Sequence, residues 1–94
     1  MYRIIDSRGS GKTSRLMLLA KETNSIIACM NPYAMREKAH AYGITGLTIV
    51  GYKDILDKNN DSLRGRNVMI DEIESFAKYQ LSTKLTGYTL SNED

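Results

Sequence analysis

Residues Ser25–Met30 read SIIACM, six consecutive positions without a charge, preceded by Thr23 and Asn24 and followed by Asn31 and Pro32. A run that is apolar at every position, rather than at alternate ones, is the pattern of a strand covered on both faces, as in a parallel sheet. Parallel neighbours require helical crossovers, and the flanking sequence supplies them. Upstream, Leu16, Leu19 and Ala20 recur at three-to-four spacing within Thr13–Glu22, and Met17 and Leu18 widen that helical face. Downstream, Asn31 can accept a hydrogen bond from a first helical turn, Pro32 suits the first helical position, and Met35, Ala39 and Tyr42 share a face. Gly43 suits a left-handed exit from that helix.

The alternation continues along the chain. Leu47–Tyr52 (LTIVGY) is rich in β-branched residues and predicts a strand, Lys53–Lys58 a short helix, and Asn67–Ile70 (NVMI) a further strand. Glu74–Leu81 is compatible with a helix. Tyr2–Ile5 and Leu85–Leu90 (LTGYTL) predict the first and last strands. Strands and helices alternating at these lengths predict the α/β class, as a minimal three-layer αβα sandwich around a small, mostly parallel sheet.

Composition bounds the rest. Ninety-four residues allow one small domain spanning 1–94 and exclude a two-domain enzyme. Hydrophobic residues at 41% and charged residues at 26%, with one proline and seven glycines, exclude a disordered or collagen-like chain. The longest apolar runs are far short of the ~20 residues that a bilayer helix needs, and no basic-then-apolar leader is visible, so a cytoplasmic protein is expected. Thirteen basic against eleven acidic residues give +2, too small a bias to argue for nucleic acid or membrane by charge. The lone Cys29 cannot form an internal disulfide and sits mid-strand as a small hydrophobe. His40 has no histidine partner and is expected to be solvated or to serve a helix end rather than to be a ligand. Phe76 and Tyr79 are placed to pack on the sheet or to face a partner. Lys58, Arg64 and Arg66 form a modest basic loop that could touch a phosphate backbone, although loops of this composition are ordinarily solvated.

Two motifs carry chemistry. Ser7–Thr13 reads SRGSGKT between a predicted strand and a predicted helix. Gly9 and Gly11 allow successive backbone N–H groups of Ser7, Arg8, Gly9, Ser10 and Gly11 to turn into one concavity, at the positive end of the following helix. Lys12 would then reach the β and γ phosphates of a nucleoside triphosphate, and the Thr13 hydroxyl would be a ligand of Mg²⁺. Against G-x-x-x-x-G-K-[ST] there is one departure, because Asp6 stands at the first glycine; its charge is tolerable if the side chain points away or caps the loop. Without its context the stretch would be a glycine-rich turn bearing a solvated lysine.

The second motif is Val68-Met69-Ile70-Asp71-Glu72, a buried-strand pattern that releases two carboxylates at its carboxyl end, where ligands sit in open α/β sheets. Asp71 would hold the magnesium, directly or through water, and Glu72 would polarise the attacking water as general base. The plainer alternative is that both acids are solvated and cap the following helix.

With both motifs in view, the chain resembles a P-loop NTPase of the additional-strand catalytic-glutamate class, in which a glutamate follows the Walker B aspartate. Within that class it is similar to the ATPase cores of phage terminase large subunits and of superfamily-two helicases. SRGSGKT at Ser7–Thr13 is terminase-like in lacking the first glycine, Met30-Asn31-Pro32 matches the proline-containing segment after the second strand, and Asp71-Glu72 matches motif two. Thr48–Leu56 looks like the turn-bearing later strand, and Leu85–Asn92 is similar to the strand that couples hydrolysis to movement.

The resemblance implies ATP or GTP as substrate or ligand, Mg²⁺ as cofactor, weak intrinsic hydrolysis and, by family likeness, a phage origin with residence in the host cytoplasm. It also implies truncation, since a helicase carries a second lobe and a terminase a nuclease domain, neither of which fits within 94 residues. No arginine follows Arg66, so a charge supplied in trans by a protein partner or a second copy is expected; Arg8 in the loop is the candidate in cis, or else a solvated side chain. The adenine-reading segment of helicases has no counterpart before Tyr2, which leaves base preference open. The alternative is a truncated scaffold that works by binding another protein, with little or no hydrolysis. A small-substrate kinase would need a lid and an acceptor-binding segment, which the sequence does not display.

Overall fold

The computed structural model describes residues 2–5 and 11–89. Its centre is β1 (Ile26–Cys29), every residue of which is buried. β2 (Ile49–Gly51) and β3 (Val68–Ile70) pair with it on either side, both parallel, in the order β2-β1-β3. The register places Ile27 opposite both Ile49 and Met69, and Ala28 opposite Val50 and Ile70. This is a small α/β fold, as the alternation predicts.

α1 (Lys12–Thr23) runs into β1 and ends on Asn24, which takes the left-handed conformation at φ 53° that asparagine tolerates better than most residues. Thr23 and Ser25 pair their hydroxyls at 2.8 Å, so the polar entrance to the buried strand is satisfied. α2 (Pro32–Ala41) starts as its sequence signals require: the Asn31 side chain accepts from the Ala34 N–H at 3.1 Å with proline at the first position. Gly43 makes the left-handed exit at φ 71°. α3 (Tyr52–Leu56) follows β2 directly, and α4 (Ile73–Gln80) follows β3.

Strand pleating divides β1 between two faces. Ile27 and Cys29 cluster with Ile49, with Met17 and Ala20 of α1, and with Met35 and Ala39 of α2, while Leu16, Ile44, Leu47 and Met69 pack against the group. One face therefore lies under α1 and α2. Ile26 and Ala28 point the other way, outside this cluster, and are also buried. That explains the unbroken apolar run.

Several expectations need correction. Tyr2–Ile5 forms no strand: Tyr2 is 66% and Ile5 77% exposed, so the apolar residues of this stretch cover no surface of the sheet. Residues 85–89 form none either, because their alternation meets no surface to cover: Tyr88 is solvent-exposed; Leu90 lies outside the described residues. The β2 strand is shorter than Leu47–Tyr52, since Tyr52 turns into α3. On α1, Met17 is at the centre of the buried face and Leu18 is 55% exposed, so the apolar stripe is narrower than the sequence suggests. Tyr42, expected on the buried face of α2, is exposed at its end. Among the described residues, no helix is long and apolar enough to cross a membrane.

Candidate functional site

Parallel strands all end on the same side, so the carboxyl ends of β1, β2 and β3 share one edge of the sheet. Asp71 and Glu72 leave β3 there, and the Asp71 N–H still donates to Ala28 of β1 at 2.9 Å. α1 presents its N-terminal end at the same place. Gly11 precedes it at φ 83°, a left-handed backbone that favours glycine, and its first turn contains no acidic residue and no side-chain cap.

The two motifs meet in one contact. Lys12 Nζ lies 3.1 Å from Glu72 Oε1, although the residues are sixty positions apart in the chain. Glu72 is the residue preceding α4, but its side chain makes no capping hydrogen bond there and reaches Lys12 instead. For Glu72, the plain helix-cap reading therefore does not hold. Glu74, in the first turn of α4, pairs with Lys78 at 3.4 Å one turn on.

Asp71 is half-buried. Its carboxyl is pushed above the usual aspartate range, first by burial and then by the charge of Glu72, with Lys38 of α2 and Lys12 acting in the opposite sense. Two adjacent acids, one of them desolvated, make a site that gains from a neighbouring cation. Among the described residues, no group of three His, Cys, Asp or Glu side chains is arranged to hold a metal. Magnesium does not demand one: it keeps most of its water and is ordinarily held by one or two carboxylates together with substrate phosphates. Asp71 and the half-buried Thr13, both at this edge, are of the right chemistry for that, though no hydrogen bond joins them.

Beneath the acids lies Tyr52, 2% exposed, whose hydroxyl donates to the Asp71 carbonyl at 2.6 Å and approaches the Glu72 carbonyl at 3.3 Å. Burial, followed by the charges of Asp71, Cys29 and Glu72, raises its phenol to about 12, so it remains a donor throughout the neutral range. Its ring meets Phe76 and Tyr79 of α4 edge-on, at 5.2 and 5.7 Å between centroids. Phe76 and Tyr79 thus pack on the residue leading out of β2. Cys29 donates weakly to the Val50 carbonyl at 3.7 Å, and burial and Asp71 raise its thiol, against the Asn31 backbone and Arg36, which keeps it an inert core thiol.

The structure thus brings Gly11, Lys12, Thr13, Asp71 and Glu72 to one edge; Ser7, Arg8, Gly9 and Ser10, with Asp6, lie outside the described residues. Tyr52 belongs to the same edge and Lys38 acts on Asp71 by its charge from α2; neither was singled out by the sequence, where Tyr52 reads as the last residue of a strand and Lys38 as one more solvated helical charge. His40 is exposed, as expected. In the basic loop, Arg64 donates to the Lys58 carbonyl and pairs with Asp61, each at 3.0 Å, which ties it within the loop. Two shallow grooves lie elsewhere, one of about 370 Å³ beside Arg36, Ile44 and Leu47, the other of about 430 Å³ beside Ile55, Lys58 and Leu63.

Comparison of the chain with protein-family models, with curated proteins and with solved structures finds no match.

Proposed function

We propose that this chain is a minimal P-loop nucleotide-binding protein of three-layer αβα type, terminase- or helicase-like, that hydrolyses ATP or GTP slowly with Mg²⁺. The observation that supports the reading is the 3.1 Å contact between Lys12 and Glu72, which puts the lysine at the start of α1 beside the acid pair at the end of β3. The parallel sheet, the burial of both faces of β1 and the uncapped α1 terminus behind Gly11 agree with it.

In this reading the backbone amides of Ser7–Thr13 would cradle the phosphates, and Thr13 and Asp71 would hold Mg²⁺, which would supply positive charge against that developing on the γ phosphate. Lys12 changes partner when a triphosphate binds: its ammonium leaves Glu72 for the β and γ oxygens, where charge density is higher. Glu72 is then released to accept a proton from water aligned for in-line attack. At rest, the ion pair keeps both groups neutralised and the base occupied. Turnover without an arginine in trans should fall short of a completed site by ~10³ to 10⁵.

The test is Glu72→Gln measured against the unaltered chain. The substitution should leave ATP binding within about threefold while phosphate release drops at least ~100-fold, the scale of general-base catalysis. Hydrolysis unchanged in Glu72→Gln would remove Glu72 from the mechanism.

A second reading, a scaffold that binds another protein, is favoured by one observation: α4 has no buried residue, and its Ile73 is 52% exposed. If Lys12→Ala abolishes nucleotide binding yet leaves partner binding intact, the scaffold reading takes precedence.

A further inference from the structure

Glu72 stands in the left-handed region at φ 59°, ψ 76°, a conformation that a residue with a Cβ adopts only when its surroundings impose it. Its neighbours show what imposes it. The Tyr52 hydroxyl carries one proton, donated to the Asp71 carbonyl at 2.6 Å and shared at longer range with the Glu72 carbonyl at 3.3 Å, so a single buried side chain grips two successive peptide units. The ring behind that hydroxyl is held edge-on by Phe76 and Tyr79. Both belong to α4, which starts at the residue after Glu72. The circuit is closed: α4 fixes the ring, the ring aims the hydroxyl, and the hydroxyl fixes the peptide from which α4 and the Glu72 side chain depart.

From this arrangement we infer that Tyr52 is a positioning residue for Glu72, setting where its carboxylate stands relative to Lys12 and to the attacking water. The inference rests on the nucleotide reading above and adds the residue that reading lacks, the one that orders the general base. Tyr52 touches no substrate. Its effect belongs on the chemical step and not on ground-state binding, because Lys12 and Thr13, the described residues to which that reading gives the phosphates and the metal, belong to α1. A geometric error of about 1 Å at a catalytic group can cost up to ~10²-fold in rate.

The decisive variant is Tyr52→Phe, which keeps the ring and its two edge contacts and deletes only the hydroxyl. Steady-state hydrolysis and ATP affinity are measured on the full chain in Mg²⁺, together with backbone chemical shifts of Asp71 and Glu72. The expected result is kcat lower by about 10- to 100-fold, Kd for ATP within about twofold, and shifted Glu72 resonances. Equal kcat in the two proteins would overturn the positioning role while leaving the nucleotide reading intact. No ATP binding by the unaltered chain would instead overturn the nucleotide reading and the inference with it. Should Tyr52→Phe fail to fold, Tyr79→Ala tests the same circuit from its half-exposed end: kcat lower by about 2- to 5-fold at constant Kd supports it, and an unchanged kcat overturns it.

Discussion

Replacing Lys12 by alanine separates a structural role for its ion pair from a functional one. At 3.1 Å two unit charges attract by only about 1.3 kcal/mol in bulk water. The side chains of Lys12 and Glu72 are 30% and 49% exposed, and pairs so placed contribute about 0.2–1 kcal/mol once side-chain ordering is counted. Lys12→Ala should therefore cost about 0.5 kcal/mol of folding stability, or about 2–4 °C in Tm for a chain of this size. The triphosphate stands to lose far more. A charge-assisted hydrogen bond contributes about 1.5–3 kcal/mol, so ATP affinity should fall by about 10- to 150-fold. Urea unfolding gives the first quantity and isothermal titration with ATP and Mg²⁺ the second. A stability loss above about 2 kcal/mol with unchanged ATP affinity would refute the reasoning, since it would make Lys12 a structural cation.

Asp71→Asn should change the pH dependence of stability. The folded carboxyl binds its proton more tightly than the unfolded one, so the contribution of Asp71 to stability is fully present below the ordinary aspartate value of 3.8 and is lost as pH rises through the raised one; the variant should lack that component and lose any stabilisation by Mg²⁺, read as the difference between the two proteins in urea unfolding across pH 3–7. Met17→Ala empties a site with no exposure and should cost about 2–5 kcal/mol, whereas Leu18→Ala, one residue on, should stay within about 0.5 kcal/mol; equal costs in thermal unfolding would contradict the assigned face of α1.

The fold was legible where local signals agreed with tertiary demand. Within SIIACM, Ser25–Cys29 is buried on both faces and only Met30, 58% exposed beyond the end of β1, departs from the reading; the Asn31-Pro32 start and Gly43 exit of α2 are local chemistry that needs no tertiary help. The two further strands expected at Tyr2–Ile5 and Leu85–Leu90 rested on strand-like composition alone; Ile5 and Tyr88 are solvent-exposed, and whether such a segment finds a surface to cover is a tertiary matter that composition does not encode. At the site, the acid pair was placed by its position at the carboxyl end of β3, and Lys12 by its position at the start of α1; the strand expected before the loop does not form. The conformation of Glu72 left no trace, since nothing in an aspartate-glutamate pair demands a positive φ. Tyr52 was hidden for a related reason: its hydroxyl acts on a backbone nineteen residues away, a contact that only the pairing of β2 and β3 on either side of β1 creates.

The most direct measurement is a crystal structure of the chain with a non-hydrolysable ATP analogue and Mg²⁺. The account predicts Lys12 Nζ about 2.7–3.1 Å from a β or γ oxygen, its contact with Glu72 broken, and the ion shared by Thr13, Asp71 and phosphate. A structure at saturating analogue in which Lys12 still pairs with Glu72 and no phosphate lies against Ser7–Thr13 would contradict it.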